Sequence, residues 1–144
     1  MAQDFFLYGS RLTQPLSYDG LRGLLEISQR NNARAGITGF LHLEDGIVIQ
    51  FLEGPADALQ DTINRIERDP RHNSFMVIER GVLERRYFEG WSMALVENTT
   101  LSLRDLVDTP NDKAPDFCKI TADDLISLLS ANASFLRERP SIVA

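Results

Sequence analysis

Cysteine, histidine and tryptophan are nearly missing from this chain, and each scarcity removes a class of chemistry. Cys118 is the single cysteine in 144 residues, so no internal disulfide can form and a cytoplasmic setting is expected. The two histidines, His42 and His72, do not cluster with other ligating residues, so no metal site is expected. Basic residues are outnumbered 15 to 21 by acidic ones, giving a formal net charge of −6. An acidic surface attracts neither nucleic acid nor an anionic membrane, and neither partner is expected. No apolar run is long enough to span a bilayer. The start, Met1-Ala2-Gln3-Asp4, lacks a basic region, and no signal peptide is expected.

What is present describes a globular domain. Hydrophobic residues make up 43% and charged residues 25%, enough for a packed core under a solvated surface. Phe5-Phe6-Leu7-Tyr8 reads as a first strand ended by Gly9-Ser10. Ser17 is a candidate N-cap for a helix from Tyr18 to Asn32, with Leu21, Leu24, Leu25, Ser28 and Asn32 on one stripe. Ile37–Leu43 is a second strand, and Asp45-Gly46 marks a tight hairpin into Ile47-Val48-Ile49-Gln50-Phe51-Leu52. Pro55 opens a second helix that runs to Asp69, where Pro70 stops it. Phe75–Glu79 is a fourth strand and Trp91–Val96 a fifth. The tail offers a short helix over Leu101–Val107, a linker at Asn111–Pro115, and a longer helix after Thr121. That last helix carries Leu125, Leu128, Leu129 and Leu136 on one stripe, interrupted by Asn132. The expected class is α+β: a ferredoxin-like βαββαββ order with a five-stranded mixed sheet. Two helices lie on one face and the C-terminal helices on the other. Residues 1–97 form the core domain and 98–144 a helical extension covering the sheet.

Gln50 is the residue that asks for an explanation. It interrupts an apolar strand, and a buried amide without partners costs about 1–3 kcal/mol. Its head group carries both a donor and an acceptor and can reverse its bonds by turning. Tyr8 ends a strand that commonly neighbours the Gln50 strand in this topology, and Asn31-Asn32 closes the first helix on its core side. A phenol, a few amides and an apolar wall suit a planar, partly polar heterocycle. Core glutamine, core tyrosine and a polar helix end are the bland alternatives for each residue taken singly. No hydrolytic set is visible: Ser10, Ser28 and Ser92 have no evident histidine base. No phosphate-binding glycine loop follows a strand.

Five segments together carry a family resemblance. They are Leu7-Tyr8-Gly9-Ser10, Asn31 through Gly39, Gln50-Phe51-Leu52-Glu53-Gly54, Arg68-Asp69-Pro70-Arg71-His72 and Trp91-Ser92-Met93. In this order and spacing, the chain from Asp4 to Val96 resembles a BLUF domain, a blue-light sensor using flavin, of the short single-domain type. The resemblance implies a non-covalently bound oxidised flavin, FAD or FMN. It implies that Tyr8 is the photochemical electron and proton donor and that Gln50 bridges it to the flavin edge. Asn32 would hold the O4/N3 edge of the ring and Asn31 its O2 side or the ribityl region, while Leu24, Ser28, Ile37 and Ile66 would line the ring. Arg65, Asp69, Arg71 and His72 would meet the ribityl chain and phosphates, and Trp91 and Met93 would lie near the glutamine.

The same resemblance implies a sensor rather than an enzyme. Light would rearrange the Gln50 hydrogen bonds, and the change would pass through the fifth strand to the C-terminal helices. No fused output domain is expected, so a separate effector protein or self-association into a dimer or larger oligomer is expected. Two other readings stay open on the residues alone: a ferredoxin-like small-molecule-binding regulator without photochemistry, and a small flavin enzyme.

Overall fold

The structure is a computed structural model, and it describes residues 3–97, 102, 103, 106 and 119–138. Its elements run β1 (Gln3–Leu12), α1 (Tyr18–Ala35), β2 (Thr38–Glu44), β3 (Ile47–Gly54), α2 (Ala56–Glu67), β4 (His72–Leu83), β5 (Ala94–Glu97) and α3 (Ala122–Glu138). The sheet order is β4-β1-β3-β2-β5. The first four strands pair antiparallel, and β5 adds to β2 in parallel. The class is α+β, with a four-strand antiparallel sheet and three helices.

Alternation along β1 and β3 divides the core in two. Phe5, Leu7, Ile47, Ile49 and Phe51 join Leu125, Leu128 and Leu129 of α3 in one cluster. Phe6, Tyr8, Val48 and Leu52 join Leu21 of α1 with Leu59 and Ile63 of α2 in the other. A two-residue strand period delivers neighbours to opposite faces, so each strand serves both layers. The tail helix therefore covers the face that α1 and α2 leave bare.

Several boundaries differ from those expected, each for a physical reason. Helix α1 does not stop at Asn32 but runs a further turn to Ala35. Gly36, at φ 71°, ends it in the left-handed conformation, with Ile37 N–H bonded to the Asn32 carbonyl at 2.8 Å. The polar Asn31-Asn32 pair reads as a helix end but lies inside one. Helix α2 ends at Glu67, two residues short of Asp69, with Arg68 as its C-cap. Strand β4 spans His72–Leu83 rather than Phe75–Glu79. It is an edge strand with one open side, so its ladder to β1 needs no apolar run.

The fifth strand begins at Ala94, not Trp91. The reason lies in the backbone acceptors ahead of it. The Ser92 carbonyl accepts from the Asn32 amide at 2.8 Å and the Met93 carbonyl from the Gln29 amide at 3.2 Å. Side chains of α1 thus take the bonds a strand ladder would use.

Asp45 and Gly46 both have positive φ, the geometry of a tight hairpin, as the sequence implies. Thr121 caps α3 by accepting the Asp124 N–H at 3.1 Å. The expected Leu101–Val107 helix, apart from Ser102, Leu103 and Leu106, falls outside the described residues. So do the Asn111–Pro115 linker, Cys118 and the Leu136 side chain. Among the described residues, no helix is long and apolar enough to cross a membrane.

Candidate functional site

A cavity of about 220 Å³ lies between α1 and α2 above the sheet. Its walls are apolar: Leu24 and Leu25 from α1, Leu41 and Leu43 from β2, Val48 and Leu52 from β3, Ile66 from α2. Two kinds of polar group enter it. Tyr8, Ser28, Asn31, Asn32 and Gln50 supply neutral groups, and Arg65, Asp69, Arg71 and His72 titratable ones, with the His72 ring beside Tyr8. An apolar slot with a few convergent polar groups is the form of a small-molecule site.

The sheet register creates the centre of this site. Tyr8 and Gln50 are Cα partners across the β1–β3 ladder. The Tyr8 hydroxyl donates to Gln50 Oε1, and both side chains are buried. Burial pushes the Tyr8 phenol far above its usual range, and the nearby Asp69 charge adds to the effect. The phenol is therefore a neutral donor at any physiological pH. On its other side Gln50 Nε2 donates to Met93 Sδ at 3.4 Å. A thioether is a weak acceptor and a primary amide has two N–H groups. Gln50 thus keeps donor capacity for a stronger acceptor in the cavity, which fits a ligand with a heteroatom edge.

Met93 packs beside a position without a side chain. A Cβ at Gly39 would run into the Phe51 carbonyl oxygen and come within 3.3 Å of Met93 Cε. Glycine is required by the Phe51 carbonyl, and its bare Cα also leaves room for the Met93 methyl.

The titratable groups are organised differently. Arg71 engages Asp69 through its side chain and its backbone N–H, the latter at 2.9 Å. This pairing holds the Asp69 carboxyl below the usual carboxylate range and raises the Arg71 guanidinium. His72 Nε2 lies 2.6 Å from the Ile66 carbonyl, so it must carry the proton there. Its Nδ1 then accepts from the Ser10 hydroxyl at 2.7 Å. This corrects the expectation that Ser10 has no histidine partner. Ser10 is at 0% exposure and His72 is half-buried, bound to a backbone carbonyl rather than a carboxylate. The contact ties β1, α2 and β4 together and fixes the His72 ring beside Tyr8, with centroids 6.4 Å apart.

Of the residues singled out in the sequence, the cavity gathers Tyr8, Leu24, Ser28, Asn31, Asn32, Gln50, Arg65, Ile66, Asp69, Arg71, His72 and Met93. Ile37 does not line it but packs beneath, in the same cluster as Leu52 and Met93. Trp91 lies on the other side of the sheet, against Phe40 and Phe88. Two residues apart along an extended segment, Trp91 and Met93 would share a face. The irregular backbone before β5 separates them. Residues not foreseen at the site include Leu41, Leu43 and Leu52, whose strand alternation pointed there, and Thr62, which no sequence signal marked.

The residue types suit a flavin. The wall is apolar, amides and a phenol offer hydrogen bonds to a polar ring edge, and two arginines match an anionic side chain. Comparison with known proteins agrees. The chain is 30% identical over 115 residues to the photoactivated adenylate cyclase subunit beta of Euglena longa, covering 78% of this chain and 13% of that protein. It is 24% identical over 118 residues to the blue light- and temperature-regulated antirepressor BluF of Escherichia coli, covering 82% of this chain and 29% of that one. The chain thus spans only a small part of these relatives. Among solved structures, the BLUF protein BlrB in its dark state matches with a TM-score of 0.73 at 25% identity, over 92% of this chain and 96% of that one. The photo-activated state of BlsA has the same fold, with a TM-score of 0.77 at 20% identity, over 90% and 94%. The model of the family described as sensors of blue-light using FAD matches residues 5–94, more than half of the sequence, and the chain belongs to that BLUF family of flavin-binding blue-light sensors.

Proposed function

We propose that this chain is a light-operated hydrogen-bond switch in which Tyr8, Gln50 and Met93 are the moving parts. The observation that carries it is the continuous chain from the Tyr8 hydroxyl through the Gln50 amide to Met93 Sδ along one wall of the cavity. When bound, the flavin supplies blue-light absorption and a reversible electron acceptor. Tyr8 is the donor, and its phenolic proton passes to Gln50 Oε1 and returns. Gln50 then comes to rest with its hydrogen bonds rearranged. Asn31 and Asn32 orient the ligand's polar edge, and Leu24, Ser28 and Ile66 hold its plane. Arg65, Asp69, Arg71 and His72 serve the side chain and phosphates.

The signal leaves through Met93. Its backbone leads directly into β5, and β5 pairs with β2 at the sheet edge. A change in the Gln50–Met93 contact biases this edge, and through it the C-terminal helical cover. On this reading residues 1–97 sense and residues 98–144 report. The strand order β4-β1-β3-β2 supports the split ferredoxin-like description, with β5 as the addition that carries the signal. The cyclase named among the relatives belongs to those longer proteins. For this chain the output is a separate effector or a change of self-association.

An absorption spectrum of flavin-loaded protein before and after blue light tests the reading. The expected result is a small shift that reverses in darkness with the flavin oxidised throughout. A loaded protein with identical spectra would overturn it.

A further inference from the structure

Glu53 is a carboxylate at 0% exposure on β3, three residues beyond Gln50. An odd spacing on a strand puts the two on opposite faces, so Gln50 meets the cavity and Glu53 the α3 side. A buried carboxylate is tolerated only with strong hydrogen-bond donors. Glu53 has three: the Tyr87 N–H at 2.7 Å, the Phe88 N–H at 2.8 Å and the Thr38 hydroxyl at 2.7 Å. Thr38 is its direct cross-strand partner, and Arg86 braces that hydroxyl at 3.2 Å.

The two N–H donors open the segment that ends at Met93. Along it, Trp91 N–H turns back to the Phe88 carbonyl at 3.1 Å, and the Trp91 carbonyl accepts from Gly39 N–H at 3.0 Å. Asn32 and Gln29 then take the Ser92 and Met93 carbonyls. The cavity side of the segment is thus tied to α1 and β2, and its start to a single carboxylate on the strand that carries Gln50. We propose that Glu53 is a positioning residue for the Gln50 switch. By holding the Tyr87 and Phe88 amides, it sets the reach of the segment so that Met93 meets Gln50 while Phe88 and Trp91 fill the α3 side. Its photochemical readouts rest on the light-sensor reading above; its effect on Met93 does not.

The test is Glu53→Gln in the full flavin-loaded chain. The amide keeps the volume but turns an N–H group toward a backbone N–H, so one of the paired bonds is lost. In darkness, the methyl signal of isotopically labelled Met93 should shift, and the amides from Tyr87 to Met93 should exchange at least tenfold faster. Amides of β1 should keep wild-type rates. After blue light, the dark-recovery rate should change severalfold at equal flavin content. Met93→Ala alone should also change that rate, and adding Glu53→Gln to it should change nothing further. A residue that only stabilised the fold would give multiplying effects. Thr38→Val, which removes one of the three donors, should move the same readouts less. A wild-type Met93 signal and exchange pattern in Glu53→Gln, or a further rate change on the Met93→Ala background, overturns the proposal. If the wild type itself shows no light-induced shift, the light-sensor reading fails, and the Met93 signal and exchange rates alone decide the role of Glu53.

Discussion

Tyr8 and Gln50 stand directly opposite each other on adjacent antiparallel strands, and the buried phenol donates to the amide oxygen across that pair. Their separation is set by a ladder that runs from Asp4↔Gly54 to Arg11↔Ile47, not by a loop. Cross-strand neighbours on one face lie about 4.5–5.5 Å apart at Cβ, so the contact is built into the register. A shift of one residue between the two strands would put Tyr8 and Gln50 on opposite faces of the sheet. The Tyr8–Gln50 contact is therefore fixed by the sheet, whereas Met93 enters from the irregular segment before β5.

Tyr8→Phe should keep flavin and abolish the light-induced shift. Only the hydroxyl is lost, and the ring's contact with Phe75, at 4.8 Å between centroids, is preserved. The Gln50 oxygen loses its partner, which should lower stability by about 1–3 kcal/mol. Flavin content, a denaturant midpoint and a light-minus-dark spectrum check this. A normal photocycle in the variant would refute the donor role.

Gln50→Leu should also bind flavin but should start from a displaced absorption band. Leucine cannot bond to the ring, to Tyr8 or to Met93, so the dark hydrogen bond is missing before any light arrives. No long-lived lit state should form. Hydrogen exchange in β5 should respond to light in the wild type and stay unchanged in this variant. A full light response in Gln50→Leu would exclude the amide as the switch.

Asn32→Ala should release more flavin than Asn31→Ala. Asn32 is 4% exposed and its amide reaches across to the Ser92 carbonyl at 2.8 Å, so it shapes the cavity and fixes the approach of Met93 at once. Asn31 is only partly buried. Flavin retained after gel filtration measures the difference, and equal or reversed losses would count against it.

The parts of this molecule that follow alternation rules were legible in the sequence. Gln50 stood out because it breaks an apolar run, and its strand, hairpin and face follow from local pattern. The α3 leucines likewise announced a covered face. What was not legible depends on which partner takes a backbone carbonyl. Nothing local shows that Asn32 and Gln29 would claim Ser92 and Met93, and that claim delays β5 and parts Trp91 from Met93. Strand β4 was underread because an edge strand can stay polar along much of its length. The Ser10–His72 contact joins residues 62 apart, beyond the reach of any periodicity.

The last prediction concerns pH. His42 lies on the α3 face at 1% exposure, and its Nε2 contacts Glu44 Oε1 at 2.8 Å. The same oxygen accepts the Leu103 N–H at 2.8 Å, which ties the tail to β2. His42 Nδ1 has no hydrogen-bond partner among the described residues, so a second proton there would be buried and unpaired. Burial pushes the imidazole below its usual range, against the pull of the Glu44 carboxylate. The unfolded chain therefore takes up this proton first as pH falls, near the ordinary histidine value of about 6.5. Its contribution to stability is complete above that value and is lost as pH falls through the window beneath it, at up to about 1.4 kcal/mol per pH unit. Asp69, held low by Arg71, adds a separate loss only at more acidic pH. Denaturant midpoints measured from about pH 8 to 5.5 should fall with acidification in the wild type, and the protection factors of α3 amides, corrected for the intrinsic pH dependence of exchange, should fall over the same range. His42→Phe keeps a flat ring, somewhat larger, and removes the titrating group, so its midpoint, whatever its absolute value, should vary much less with pH. An equally steep loss in His42→Phe would assign the pH dependence to other groups.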